Sequence, residues 1–123
     1  MNPQLSERQV LDEIYGLLRI SVSRKQPIAA LYDGFLRLLC PHVLGRNKEG
    51  RLQAFCYQLG GSSGSGLLPG PDGLGGWVCI AIDKLSRVEL TTREWRTEPR
   101  SGRQGCVEEI DFDVDAQPGD DPQ

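Results

Sequence analysis

The chain is poor in the residues that usually carry chemistry: it has one histidine, His42, and one methionine. Any catalytic pair or metal set would have to be built around that single imidazole. The four cysteines, Cys40, Cys56, Cys79 and Cys106, stand 16, 23 and 27 residues apart, with no Cys-x-x-Cys among them. Zinc sites draw on paired ligands, so no metal centre or other cofactor is expected, whether on His42 with cysteines or elsewhere. Each cysteine lies among apolar neighbours, where a thiol behaves as a small buried hydrophobe, and four reduced thiols are the expectation. No apolar run approaches the roughly 20 residues of a membrane span. Residues 1–8 show no basic stretch leading into an apolar one, so no signal peptide is expected and a cytoplasmic location follows. There is no Gly-Lys-Ser/Thr, which excludes a Walker loop, and no G-x-G-x-x-G between a strand and a helix, which excludes a dinucleotide fingerprint.

The net charge of −3 conceals a segregation. All 14 cations lie at or before Arg103, and seven of the 17 acids lie from Glu108 onward, which leaves residues 1–107 at +4. A mildly basic body therefore carries an acidic C-terminal stretch, read as a solvated edge strand and a soluble tail. The sharper alternative is that the tail mimics an anionic ligand of the body.

Ser6-Glu7-Arg8-Gln9 fits a capping box, and Val10, Leu11, Ile14, Leu17, Leu18, Ser21 and Val22 recur at helical spacing. Pro27 stops the pattern, so a helix is predicted over about 7–25. From Ile28 the spacing changes. Strands are predicted over 28–32 and 35–40, joined by Asp33-Gly34, whose positive φ angles suit a type I′ hairpin. Pro41 should end the second strand. A charged turn, Arg46-Asn47-Lys48-Glu49-Gly50, leads to a strand over 51–58. Residues 60–76 hold eight glycines and form a long loop. A strand over 77–83 is apolar on both faces and so should be central. Strands over 87–90 and 107–114 follow, the last with a bulge between Val107 and Ile110, with Ile110 and Phe112 inward and Asp111, Asp113 and Asp115 outward.

One helix followed by five or six locally connected strands predicts a mainly β protein with one N-terminal helix, a small SH3/Sm-like open β-barrel. A ferredoxin-like sandwich would need a second helix that nothing after Lys25 supplies. Residues 1–115 read as a single domain with the barrel over about 28–114, and 116–123 as a flexible acidic tail. A sheet this short leaves edges that can pair, so a homodimer is compatible with it.

The order of features from Ile28 to about Glu89 resembles a WYL domain, the Sm-like barrel of bacterial transcription regulators. The matching features are Tyr32 before Asp33-Gly34, Arg37 in the next strand and Pro41-His42-x-Leu44. The turn Asn47-Lys48-Glu49-Gly50, a strand closing on Tyr57 and Ile82-Asp83-Lys84-Leu85-x-x-Val88 complete the match. The namesake Trp-Tyr-Leu is absent near Leu52-Gln53-Ala54, the family's ligand arginine is replaced at Val78, and Lys84 keeps the second cationic position. The resemblance implies a regulatory module that binds a nucleotide or single-stranded nucleic acid.

On small barrels, cations hold phosphates and aromatic faces stack on bases. The expected ligand-binding residues are Arg37, Arg46 and Lys84 on phosphate, Tyr57 stacking, and His42, Gln58 and Ser62 on polar edges. Ser62 stands in Gly60-Gly61-Ser62-Ser63-Gly64, where glycines free backbone N–H groups for an anion nest. Asp111, Asp113 and Asp115, alternating along one strand, could bind a divalent cation, but a charged, exposed edge strand explains the same pattern better. No catalytic residue is expected. A protein-interaction adaptor is the alternative function.

Overall fold

The computed structural model describes residues 10–63, 66–67, 76–97 and 105–116. In chain order these form helix α1 (Leu11–Arg24), strands β1 (Ile28–Tyr32), β2 (Phe35–Arg46), β3 (Leu52–Ser63), β4 (Gly66–Leu67) and β5 (Trp77–Ala81), a 310 turn (Ile82–Lys84), β6 (Leu85–Leu90), β7 (Glu109–Asp113) and a second 310 turn (Val114–Ala116). The described residues are mainly β with one helix, as the sequence predicts. All strand pairs are antiparallel, in the order β4-β3-β2-β1-β6, with β5 also on β3 and β7 also on β2. No ladder joins β5 to β6, so among the described residues the sheet is not closed into a barrel.

Helix α1 lies on the sheet because Ile14, Leu18, Ser21 and Val22 share one face at three- and four-residue spacing. Leu18 and Val22 are fully buried, and burial of such a side chain stabilises by about 1.5–3 kcal/mol. The expected Ser6 cap lies outside the described residues. The helix opens at Val10 without a side-chain cap, and Asp12 and Glu13 face the positive end of its dipole. It stops before Lys25, which turns left-handed at φ 52° so that the Gln26 N–H donates back to the Ser21 carbonyl at 3.0 Å.

Both predicted turns form. Asp33 and Gly34 take φ of 53° and 86° and place Tyr32 opposite Phe35. In the next turn the Asn47 side-chain oxygen accepts the N–H groups of Glu49 and Arg51 at 2.9 and 3.0 Å. Strand β2, however, does not stop at Pro41. β1 lines one edge of β2 from Phe35 to Leu39, and β7 lines it from Val43 to Arg46. Between them, at Cys40, Pro41 and His42, neither β1 nor β7 pairs with that edge among the described residues, and the register against β3 also shifts between Pro41 and Val43. A residue without an N–H is tolerated where the ladder already lapses.

Further expectations are corrected. The predicted loop over 60–76 holds strand at both its start and its middle, since β3 runs on to Ser63 and β4 is Gly66–Leu67. Among the described residues β5 is an edge strand paired with β3 alone; it is apolar on both sides because packing covers both, with Ile80 under α1 and Trp77 on the reverse. It ends at Ala81, and β6 starts at Leu85 rather than Arg87. In β7 the extra residue is Asp111, between the pairs Gly45–Ile110 and Leu44–Phe112. That bulge reverses the alternation: Phe112 packs on the main core while Ile110 is 51% exposed, and the three aspartates do not line one strand face.

The main core lies between α1 and the sheet, built on Leu18, Ile28, Leu39, Leu44, Ile80 and Ile82. A smaller one on the reverse face joins Val43, Phe55, Cys106 and Val107, with Trp77 packed against it. Here the expectation of four reduced thiols fails. Cys79 and Cys106 form a disulfide, with Cα atoms 5.8 Å apart, that ties residues 105–107 to β5; Cys40 and Cys56 are free and buried. Among the described residues no helix is long and apolar enough to cross a membrane.

Gly45 is required by the approach of β7, since a Cβ there would meet the Glu109 carbonyl oxygen and a Val107 methyl. Backbone cannot yield as a flexible side chain does. Gly45→Ala should therefore cost about 2–3 kcal/mol in urea unfolding; a stability within about 0.5 kcal/mol of wild type, the usual range for a surface change, would contradict this packing.

Candidate functional site

Four of the expected residues gather at the hairpin end of the sheet. The Arg37 guanidinium stands 5.3 Å from the centroid of the Tyr32 ring and donates through Nη1 to Gln58 Oε1 at 2.8 Å. Gln58 is buried, so this bond fixes the guanidinium plane. Arg37 Nε is buried without a hydrogen-bond partner, and a buried unpaired donor costs about 1–3 kcal/mol. Lys84, exposed, directly precedes Leu85, the register partner of Tyr32. Ser62 follows Gly61, the register partner of Arg37, so its backbone reaches the same end; its side chain lies outside the described residues. The nearby Arg51 is spent on Asp83 at 2.7 Å, an exposed pair worth little to stability.

His42 and Tyr57 lie on the reverse face instead. His42 is 1% exposed, with Nδ1 2.7 Å from the Cys40 carbonyl and Nε2 2.8 Å from Thr97 Oγ1. A carbonyl only accepts, which assigns a proton to Nδ1; in the neutral ring Nε2 is then the acceptor of the Thr97 hydroxyl. Thr97 Oγ1 in turn accepts the Trp95 indole N–H at 3.1 Å. The imidazole packs 4.8 Å from both Trp77 and Trp95. Tyr57 is 1% exposed and edge-on to Trp77, which also stacks on Phe55 at 4.9 Å. Both side chains are consumed in packing, so neither offers a face or a ring nitrogen to a ligand as the sequence reading expected.

Arg46 lies at the far end of β2, where it donates to the Gly50 carbonyl at 2.7 Å. With Asp12, Tyr15, Glu109 and Asp111 it lines a depression of about 400 Å³ beside α1. The Tyr15 hydroxyl donates to Asp111 at 2.7 Å, and burial followed by that bond holds the phenol well above its ordinary range. Asp113 accepts the Asp115 N–H at 2.9 Å. No group of three His, Cys, Asp or Glu side chains is placed to hold a metal ion among the described residues. Comparison with family models, with curated proteins and with solved structures yields no match.

A second depression, which the sequence reading overlooked, lies beside residues 93–96. Arg93, Trp95 and Arg96 border it with Leu59, and the available signal was an aromatic residue flanked by cations.

Burial pushes the Cys40 thiol from its ordinary 9.0 up to about 11, against a bond from the Arg96 backbone, and pushes Cys56 up further. A folded thiol that holds its proton longer than the unfolded one loses stability as pH climbs from about 9 to about 11. At pH near 8 both thiols should resist iodoacetamide in the native protein and react once it is unfolded; rapid native alkylation of either, read by mass spectrometry, would contradict their placement.

Proposed function

We propose that this protein is a non-enzymatic regulatory module, a diverged WYL-like barrel, that senses a nucleotide or single-stranded nucleic acid at the hairpin end of the sheet. The observation that carries the reading is Arg37, oriented by buried Gln58 over Tyr32, with a buried Nε donor left unused and Lys84 at the same end. Arg37 and Lys84 take phosphate, and the backbone around Ser62 adds donors. Arg46, His42 and Tyr57 have no part in this site.

The barrel classification draws support from the strand path. Its two ends, β5 and β6, are joined by one 310 turn, and the Ala81 N–H donates to Tyr32 Oη at 3.2 Å, which draws β5 towards β1. One observation favours an adaptor instead: Phe35 and Leu36 are 40% and 45% exposed beside the same hairpin.

Fluorescence anisotropy with a labelled single strand across a salt series separates these readings. Each lost phosphate contact on single strands lowers the log–log salt slope by about 0.7, so Arg37→Gln with Lys84→Ala should reduce it by about 1.4. An unchanged slope would remove the two cations from the site, and wild-type affinity independent of salt would favour the adaptor.

A further inference from the structure

We propose that the outer face of α1 binds the same face of a second copy of this chain, in an antiparallel, two-fold helix pair where Ile20 of each copy lies over the partner's Gly16. This face is turned away from the core. Asp12, Glu13, Arg19, Ile20, Ser23 and Arg24 are exposed, while Ile14, Leu18, Ser21 and Val22 are buried on the opposite side. Gly16 sits in the middle of it. A glycine inside a helix is destabilising relative to alanine, and among the described residues no atom lies within 4 Å of where its Cβ would stand. Packing within the chain therefore does not call for a glycine here. Close approach by something outside the chain does.

The shape of the face is self-complementary. Gly16 opens into a depression of about 380 Å³, completed by Arg19, Ile20, Ser23, Arg24 and Phe112. Arg19 lies against Phe112, its guanidinium 4.5 Å from the ring centroid. Ile20 is 38% exposed one turn after Gly16. A projecting branched side chain beside a glycine gap lets each helix fill the gap of the other, the geometry of ridges packed into grooves.

Charge selects the second copy and its direction. The acids of the face, Asp12 and Glu13, lie in the first turn of α1, and Arg24 lies in the last. Two such helices set parallel would bring like charges together; set antiparallel, they bring opposite charges together. One two-fold axis serves both shape and charge. Gly16 and Ile20 are centred on Leu18, and Glu13 and Arg24 on the bond between Leu18 and Arg19. When Ile20 comes level with the partner's Gly16, Glu13 therefore comes level with the partner's Arg24. About three helical turns separate Glu13 from Arg24, which leaves them about 20° apart around the axis and so on the same rim. Neither makes an ion pair among the described residues. The helix is about 21 Å long for its 14 residues, so the contact is small and the dimer weak and concentration-dependent. The inference shares no residue with the Arg37 site and stands or falls without it.

Sedimentation velocity of the full chain across a concentration series reads the dimer, and circular dichroism reads the fold of each variant. Glu13→Lys or Arg24→Glu should weaken dimerisation at least about tenfold, because the symmetry loses each exposed pair twice and sets a repulsion in its place. Glu13→Lys combined with Arg24→Glu returns opposite charges across the axis and should restore the dimer. Gly16→Leu, with open space around it in the single copy, should abolish the dimer and leave the helix intact. A monomer at every concentration up to about 1 mM would overturn the proposal. A dimer that these variants leave unchanged would also overturn it and move the contact to a sheet edge. Weakening by both single reversals without rescue by the pair would overturn the antiparallel register.

Discussion

The lapse in the ladder along β2 is the constraint on which the rest of the structure depends. Twelve residues of one strand serve two successive neighbours, β1 and then β7, and at the change-over, Cys40 to His42, neither of these strands pairs with that edge. Backbone polar groups cannot be left bare in a buried place. The gap is closed by a relay: the Trp95 indole donates to Thr97, the Thr97 hydroxyl donates to His42 Nε2, and His42 Nδ1–H donates to the Cys40 carbonyl. Every member both fills space and satisfies a polar partner, which is the condition under which a buried network holds a structure rather than weakening it.

That relay also explains why the reverse face is organised at all. A sheet of this size could leave one face to solvent. Instead the chain after β6 brings Trp95 and Thr97 to His42, and residues 105–107 are tied down by the Cys79–Cys106 bond. Phe55, Tyr57 and Trp77 are thereby packed under a second layer. With one face occupied by α1 and the other by this layer, the Arg37 group falls at the hairpin end of the sheet. The proposed binding site there is therefore a consequence of how the sheet is covered, not an addition to it.

What was legible in the sequence was what neighbours in the chain decide. Asp33-Gly34, the Asn47 turn and the apolar face of α1 are fixed by residues within a few positions of one another, and all three form. Pro41 misled because its tolerance depends on β1 ending and on β7 beginning some 70 residues later. The two-faced apolarity of β5 fits a central strand as well as an edge strand packed on both sides, and periodicity cannot distinguish them. The disulfide was hidden because Cys79 and Cys106 meet only through the reverse-face layer. Of the expected site, Arg37 and Gln58 meet, and register places Lys84 and the Ser62 backbone at the same end of the sheet. Tyr57 could have been separated from Gln58 at the outset, since consecutive strand residues face opposite ways. His42 and Arg46 could not, because a register shift and the length of β2 decide where they fall.

The relay at the β2 gap is tested most directly by the protonation of its one imidazole. His42 is the only histidine of the chain, so a nitrogen–proton correlation spectrum reports on it without ambiguity. The account predicts a proton on Nδ1, with ring protons shifted upfield by Trp77 and Trp95. A proton on Nε2, with ring protons at unshifted positions, would contradict the relay and with it the coupling of the two faces.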